Sequence, residues 1–169
     1  MHIYNEQQHH TKDKIFVAYS ILLPEDSFWR QIDKIINFDF IVKNFRNQYE
    51  LVKNLEDIDI IRLFKYQLLK IYYNLTDEEL IKNTDIDISY KYFLEYEPMN
   101  INYLEHSLIT SFGNLKPNKN LLEDLNLLNS KLSILKDIPI ISLKKYQGDN
   151  IYDLAKIFVN NMKIVLKEH

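Results

Sequence analysis

Apolar residues recur at helical spacing along most of the chain. The densest stretch is residues 58–73, where eleven of sixteen positions are apolar or tyrosine. A helix that is apolar around most of its circumference is surrounded by other elements, so this stretch predicts the central helix of the fold. Its polar positions are expected to mark the side that faces solvent: Asp59, Arg62, Lys65, Gln67 and Lys70.

The residues before this central helix predict two shorter helices. Asp26 or Ser27 is placed to cap the first, which carries apolar residues at i, i+4, i+7 and i+8 from Phe28. The second follows Asp39 and has Ile41, Phe45 and Tyr49 on one face. Further upstream, residues 15–23 are rich in β-branched and aromatic side chains, which favours a strand, although periodicity alone leaves a buried helix open.

Three short helices are predicted after the central helix. Thr76 and Glu79 form a capping-box pattern that opens the first, which ends near Thr84. The second covers 88–96 and ends before Pro98, and the third opens at Asn102 with Glu105 and stops at Gly113. Short helices separated by tight breaks have the outline of a helix-turn-helix region.

The last third of the chain predicts a leucine seam and a final helix. The seam follows an a/d alternation for two heptads, which is too short for a free-standing coiled coil and favours packing within the domain: Leu121, Leu125, Leu128, Leu132 and Leu135. Residues 138–143 are a possible strand, and an amphipathic helix begins at Asn150. The fold class is therefore mainly α: a compact multi-helix domain with a helix-turn-helix-like region and at most a small two-stranded β element.

Composition removes several kinds of site. The 169 residues include no cysteine, which excludes disulfides and thiolate ligands, and only two glycines, Gly113 and Gly148, which excludes a glycine-rich phosphate loop. Residues 1–14 form a polar leader without the apolar run of a signal peptide, so we expect a cytoplasmic protein that does not engage membranes.

The charge balance bears on nucleic-acid binding. Lysine and arginine number 21 against 24 acidic residues, and arginine occurs only at positions 30, 46 and 62. Dedicated nucleic-acid binders usually carry a basic excess, and arginine is the main reader of guanine. The composition leaves room for a local basic face and not for a uniformly basic surface.

Residues 22–115 resemble the N-terminal domain of insertion-sequence transposases of the InsH/IS1182 type. LLPEDSFWRQIDKIINFDFI is similar to the phrase that ends "IDxIIDFSFI" in that family, residues 75–80 (LTDEEL) to "LSDREL", and residues 88–94 (ISYKYFL) to the start of "LxYRWFLGL". The resemblance implies a transposase-derived domain over 15–115, after the leader at 1–14, with residues 116–169 as a C-terminal helical segment packed on it.

The chain departs from that family in ways that affect function. Leu55-Glu56-Asp57 replaces "GRP", and residues 105–113 resemble "DHSTxSRFR" without either arginine. Nothing after residue 130 resembles the "VDGT" strand that begins the catalytic RNase H-like domain. The resemblance therefore implies a module without transposase chemistry, so we expect no enzyme activity, no cofactor and no metal.

The polar residues on the predicted short helices are the candidates for contacts with double-stranded DNA: Lys82, Asn83, Ser89, Lys91, Tyr103, His106, Ser107 and Thr110. Lysine attracts phosphates, and the other side chains bond phosphates or base edges. The alternative is that these residues are the solvated faces of a helical domain.

Asp57, Asp59, Asp85 and Asp87 are interpreted as helix caps rather than metal ligands, and most tyrosines between 66 and 103 as core or core-edge residues.

Two functions follow from these observations. The first is a DNA-binding or regulatory module of a mobile element. The second is a protein-binding module or inhibitor of mobile-element or phage origin that binds a host or phage protein, and a homodimer is compatible with either. A basic stripe along residues 82–116 would favour the first, and an acidic surface there would favour the second.

Overall fold

The computed structural model describes residues 17–50, 52, 54–136 and 148–166. The described residues are mainly helical, as the apolar periodicity predicts, and contain no strand. Their helices are α1 (17–22), α2 (Phe28–Ile35), α3 (Asp39–Tyr49), α4 (Asp57–Tyr72), α5 (Asp77–Ile86), α6 (Ile88–Phe93), α7 (His106–Gly113), α8 (Lys119–Lys136) and α9 (Ile151–Val165). The predicted strand at 138–143 and the polar leader lie outside the described residues.

Helix α4 is the centre of the fold, as predicted. It packs against α3, α5, α7 and α9, and Leu63, Phe64 and Tyr66 are completely buried. The expected solvent side is wrong at two positions, because Lys65 and Gln67 are also buried. Neighbouring helices cover α4 on nearly all sides, so these polar side chains bond inside the protein instead of reaching water.

The structure differs from the prediction in the type of one element and in the boundaries of two helices. Residues 17–22 form a helix and not a strand, since Tyr19 and Leu23, one helical turn apart, both turn inward. Helix α6 ends at Phe93, three residues before the predicted end, because the chain enters a left-handed conformation at Glu95 (φ 58°). Helix α7 begins at His106 rather than at the predicted Asn102.

The C-terminal helices pack on the same core. Leu121, Leu125 and Leu132 of α8 are buried, which confirms that the leucine seam faces the domain interior, while the side chain of Leu135 is outside the described set. Asn150 caps α9, whose Phe158 contacts Phe38 and Phe64. The buried apolar residues of α2 to α9, apart from Tyr92, thus form one hydrophobic cluster.

No helix within the described ranges is both long enough and apolar enough to cross a lipid bilayer.

Candidate functional site

Helices α5 and α7 bring several predicted DNA contacts onto one surface. The Thr110 hydroxyl donates to Asp77 Oδ2 at 3.0 Å, and the Tyr103 hydroxyl donates to Asp85 Oδ1 at 2.9 Å. These two bonds join the start of α5 to the second half of α7, and the end of α5 to the segment before α7. Both ends of α5 are therefore tied to residues 103–110 at this surface.

The exposure of the candidate residues varies along this surface. Lys82, His106 and Ser107 are exposed. The half-buried candidates are Asn83, Ser89, Tyr103 and Thr110. Ser89 is held by Asp87, to which its backbone amide and its hydroxyl both donate at the start of α6.

Lys91 does not face solvent, and its placement on the outer surface of α6 is wrong. Its side chain is 7% exposed, and Nζ donates to the carbonyl oxygens of Pro98 and Asn100 at 3.1 and 3.3 Å. The hydrogen-bond partners of Lys91 lie on the loop after α6, so the amphipathic pattern of this short helix does not predict that Lys91 is buried. Lys91 therefore stabilises the loop and is not placed to contact phosphate.

Lys91 is one of three cations held at the C-terminal end of α6. Lys65 Nζ donates to the Phe93 carbonyl at 2.8 Å, and Arg62 donates to the carbonyls of Leu94 and Glu95 at 2.7 and 2.6 Å. The last carbonyls of a helix lack intrahelical partners and carry partial negative charge, so cations there are stabilising. We name Arg62, Lys65 and Lys91 the cation cluster.

The cation cluster also balances partly buried acidic groups. Lys65 pairs with Asp33 at 2.9 Å and with Glu95 at 3.1 Å, and Arg62 pairs with Asp59 at 2.9 Å. The Arg62 guanidinium lies 4.0 Å from the centre of the Tyr96 ring, where it gains a cation–π contact. The sequence pattern did not predict this cluster. The signal available for it was the position of Lys65 within a helix that is apolar around most of its circumference.

A left-handed residue lies at the centre of the cluster. Glu95 occupies the place of glycine in the "LxYRWFLGL" phrase, and its φ of 58° is a conformation that favours glycine. The Tyr96 amide donates back to the Lys91 carbonyl at 2.9 Å, which closes the turn. The contact with Lys65 offers a reason for a glutamate here, because its carboxylate neutralises a buried cation.

The outer surface of α5 and α7 is acidic among the described residues. Two exposed or half-buried lysines of the described ranges lie at this surface, Lys82 on α5 and Lys70, which pairs with Asp77. The exposed or half-buried carboxylates outnumber them: Asp77, Glu78, Glu79, Asp85, Asp87 and Glu105. Over residues 82–116, Lys82 and Lys116 are the exposed lysines, against the exposed Asp85, Glu97 and Glu105. A basic stripe along this part of the chain is therefore not present.

The carboxylate of Asp77 links α4, α5 and α7. It forms an ion pair with Lys70, accepts from Thr110 and lies 3.6 Å from His106 Nε2. Partial burial acts to raise the pKa of Asp77, but hydrogen bonds from Lys70 and Thr110 outweigh it and hold the pKa below its usual value. Asp77 is therefore a structural anion at this surface.

Of the four aspartates interpreted as helix caps, all except Asp85 lie at the start of a helix. Asp59 accepts from the Glu56 amide and Asp87 caps α6, as predicted, and Asp57 lies in the first turn of α4. Asp85 is not a cap, because it lies in the last turn of α5 and accepts from Tyr103. This bond and burial raise the pKa of Tyr103 to about 12, burial being the larger cause. Within the described ranges, no three acidic or histidine residues converge as a metal site would require.

An open cleft of about 400 Å³ lies between α4 and the 95–104 loop. Its charged lining consists of Arg62 and three carboxylates, those of Asp59, Glu95 and Glu97. Because Arg62 already bonds two carbonyls and Asp59, it has little capacity left for a phosphate. The cleft is thus an acidic feature of the surface.

Comparison with known proteins identifies the family. No curated protein and no solved structure matches the chain significantly. Residues 17–115, more than half of the chain, match the family model described as Transposase domain (DUF772). The match begins in α1 and ends just after α7, and it agrees with the resemblance seen over residues 22–115. The chain therefore belongs to the DUF772 transposase-domain family.

Proposed function

We propose that this chain is a non-catalytic, transposase-derived module that acts by binding a host or phage protein. The observation that carries the proposal is the placement of charge. Lys65 and Lys91 are buried beside the loop after α6 and the Arg62 side chain is 13% exposed there, while the α5–α7 surface presents mainly carboxylates. Duplex DNA is a dense polyanion, so an acidic surface repels it.

The chemistry of the described residues supports a binding role. Asp59 and Asp87 are engaged in helix caps, Asp77 in an ion pair, and Asp85 in a hydrogen bond from Tyr103. His106 and Ser107 are adjacent on α7 and point to different faces of the helix, so they do not form a nucleophile and base. The proposal accordingly assigns the chain no reaction.

Affinity capture with the full chain tests the proposal. The chain is immobilised, exposed to extract from cells that carry the element, and treated with nuclease before elution. The expected result is a protein that survives nuclease treatment and, once purified, binds the chain with defined stoichiometry by calorimetry. Loss of every captured protein after nuclease treatment would mean that DNA bridges them, and would reject the proposal.

DNA binding is the second candidate, and family membership favours it. Lys82, His106 and Ser107 are exposed on the α5–α7 surface, where one helix is free to approach a groove. In that case Lys82→Ala weakens binding to all sequences, whereas Ser107→Ala changes the preference between sequences. Few exposed cations lie on this side, so the affinity expected from this candidate is modest and falls with salt.

A further inference from the structure

Exposed apolar side chains concentrate in three segments that contact one another. Of the nine large apolar residues that are exposed among the described residues, six lie in α1, at the end of α5 and in the loop before α7: Val17, Ile21, Leu22, Ile86, Met99 and Ile101. Ile21, Met99 and Ile101 are 79–88% exposed, more than any other apolar side chain of the described set. Single exposed apolar residues need no explanation, but a concentration of this kind marks an interaction site.

Contacts beneath these residues bring the three segments together. The Tyr19 hydroxyl bonds the Tyr96 carbonyl, and the Tyr19 ring packs edge-on against Tyr92 with centroids 5.3 Å apart. Ile88, two residues after Ile86, packs on the same tyrosines. The Tyr103 hydroxyl bonds both Asp85 and the Asn100 carbonyl, which ties the end of α5 to the 99–101 loop.

Helical geometry explains why α1 presents an apolar outer face. Tyr19 and Leu23 point inward, so Val17 and Ile21, which lie on the opposite side of the same turns, point outward. We name the six exposed residues, together with the segments that carry them (17–27, 85–88 and 96–105), the apolar face.

Charge on the apolar face has one sign. The three segments contain no lysine, arginine or histidine, and their exposed charged residues are Glu25, Asp26, Asp85, Glu97 and Glu105. Three cations of the described part of the chain reach the region from below. Arg30 and Lys91 are buried, and Arg62 is largely so, with its side chain 13% exposed. Arg30 donates to the Leu23 carbonyl and lies 3.9 Å from the Glu25 carboxylate. Lys82, one turn before Ile86, is the exposed cation at the edge.

We propose that the apolar face binds a basic amphipathic helix of a partner protein. The partner's apolar stripe packs on Ile21, Met99 and Ile101, and its flanking lysines or arginines meet Asp26 and Glu97. Charge complementarity selects this occupant, because a second copy would bring acidic rims together and an anionic bilayer would be repelled. The inference rests on the proposed function and specifies the chemistry of the partner.

A designed peptide pair tests the inference with the full chain. The probe is a fluorescent helix of about 18 residues with leucine at i, i+3, i+4 and i+7 spacing and lysine elsewhere. Its match has glutamate in place of every lysine. By anisotropy, the lysine peptide is expected to bind at least about tenfold more tightly than the glutamate peptide. Equal affinity for the two peptides overturns the proposal.

Substitutions on the apolar face separate packing from simple charge attraction. Ile21→Glu with Met99→Glu adds negative charge, so a lysine peptide held by charge alone would bind more tightly. The proposal instead expects affinity to fall by about tenfold or more, because the apolar contact is lost. Leu127→Glu on α8, also at an exposed apolar residue, is the matched control and should leave affinity unchanged. Circular dichroism confirms that each variant is folded.

Charge reversal and association state complete the test. Asp26→Lys with Glu97→Lys should shift preference from the lysine peptide toward the glutamate peptide, and no shift contradicts the proposal. Self-association of the wild type in sedimentation, abolished by Ile21→Glu with Met99→Glu, would assign the face to a second copy and overturn it. If a nuclease-resistant partner is captured equally by that variant, the proposed function stands and the apolar face is the wrong surface.

Discussion

The residues of the cation cluster stabilise the fold through bonds inside the protein. Lys65 illustrates the point, since one ammonium group pairs with Asp33 and Glu95 and also bonds the Phe93 carbonyl. A buried charge costs free energy unless it is paired and hydrogen-bonded, and here the pairing is complete for all three donors of the ammonium group. Removing the lysine takes one charged contact from each of Asp33 and Glu95 and a hydrogen bond from the Phe93 carbonyl.

Lys65→Met is therefore expected to lower the free energy of unfolding by about 3 kcal/mol or more, because breaking a buried ion pair leaves uncompensated charge. Urea denaturation followed by circular dichroism measures the change. Lys82→Met is the matched control, since Lys82 is exposed on α5, and its effect should stay within about 0.5 kcal/mol. Equal effects of the two substitutions would contradict the role given to the cation cluster.

Asp77 makes stability depend on pH. Its pKa is lower in the folded state than in the unfolded state, so its contribution is complete above the unfolded pKa of about 3.9 and is lost as pH falls through the folded pKa. Asp77→Asn should therefore have a lower Tm than wild type at pH 6, and the difference should shrink as the pH falls below about 4. A difference in Tm that is constant across this range would reject the ionic role of Asp77.

At the scale of elements, α4 and α7 approach each other closely at a glycine. A Cβ added at Gly113 would lie 2.5 Å from Oε1 of Gln67, whose side-chain amide donates to the Ile109 carbonyl at 2.8 Å. Gln67 is itself buried, so it has little space to move. The glycine is needed for this approach and not for its backbone angles, because its φ is not positive.

Gly113→Ala is expected to destabilise the protein by about 1–3 kcal/mol, since the added methyl group overpacks a filled site. Thermal unfolding by calorimetry measures the change. The double variant Gly113→Ala with Gln67→Ala makes space for the methyl group, so the cost of Gly113→Ala should fall in that background. An unchanged cost there would show that the close contact with Gln67 is not its source.

Elements were more predictable from sequence than the environment of their polar residues. Helix α4, the capping box of Thr76 and Glu79, and the N-cap of Asn150 follow from local pattern, since each depends on residues within one or two turns. Lys65 and Lys91 were placed in solvent because their partners come from other segments. The β-branched residues of the segment that forms α1 favour a strand. The helix that forms instead buries Tyr19 and Leu23 against Tyr92, a tertiary contact that local pattern does not predict.

At the scale of the whole molecule, the family match and the distribution of charge give the functional account. The match identifies a transposase domain, which brings an expectation of DNA contact. The cation cluster, which bonds within the fold, and the acidic α5–α7 surface both argue against DNA contact. The exposure of the candidate residues depends on the packing of α5, α6 and α7, so the sequence alone does not predict it. The central claim is that Arg62, Lys65 and Lys91 serve the fold of this domain, so that the α5–α7 surface lacks the basic stripe that DNA binding requires.

The most direct test of that claim is an anisotropy titration of the full chain with duplex DNA at several low to moderate salt concentrations. Each phosphate neutralised adds about −0.9 to the slope of log K against log salt concentration. The account predicts binding no tighter than the usual non-specific range of about 10⁻⁴–10⁻⁶ M, with a slope no steeper than about −2 and no change between sequences. Sub-micromolar, sequence-dependent binding with a steep slope, weakened by Lys82→Ala, would contradict it.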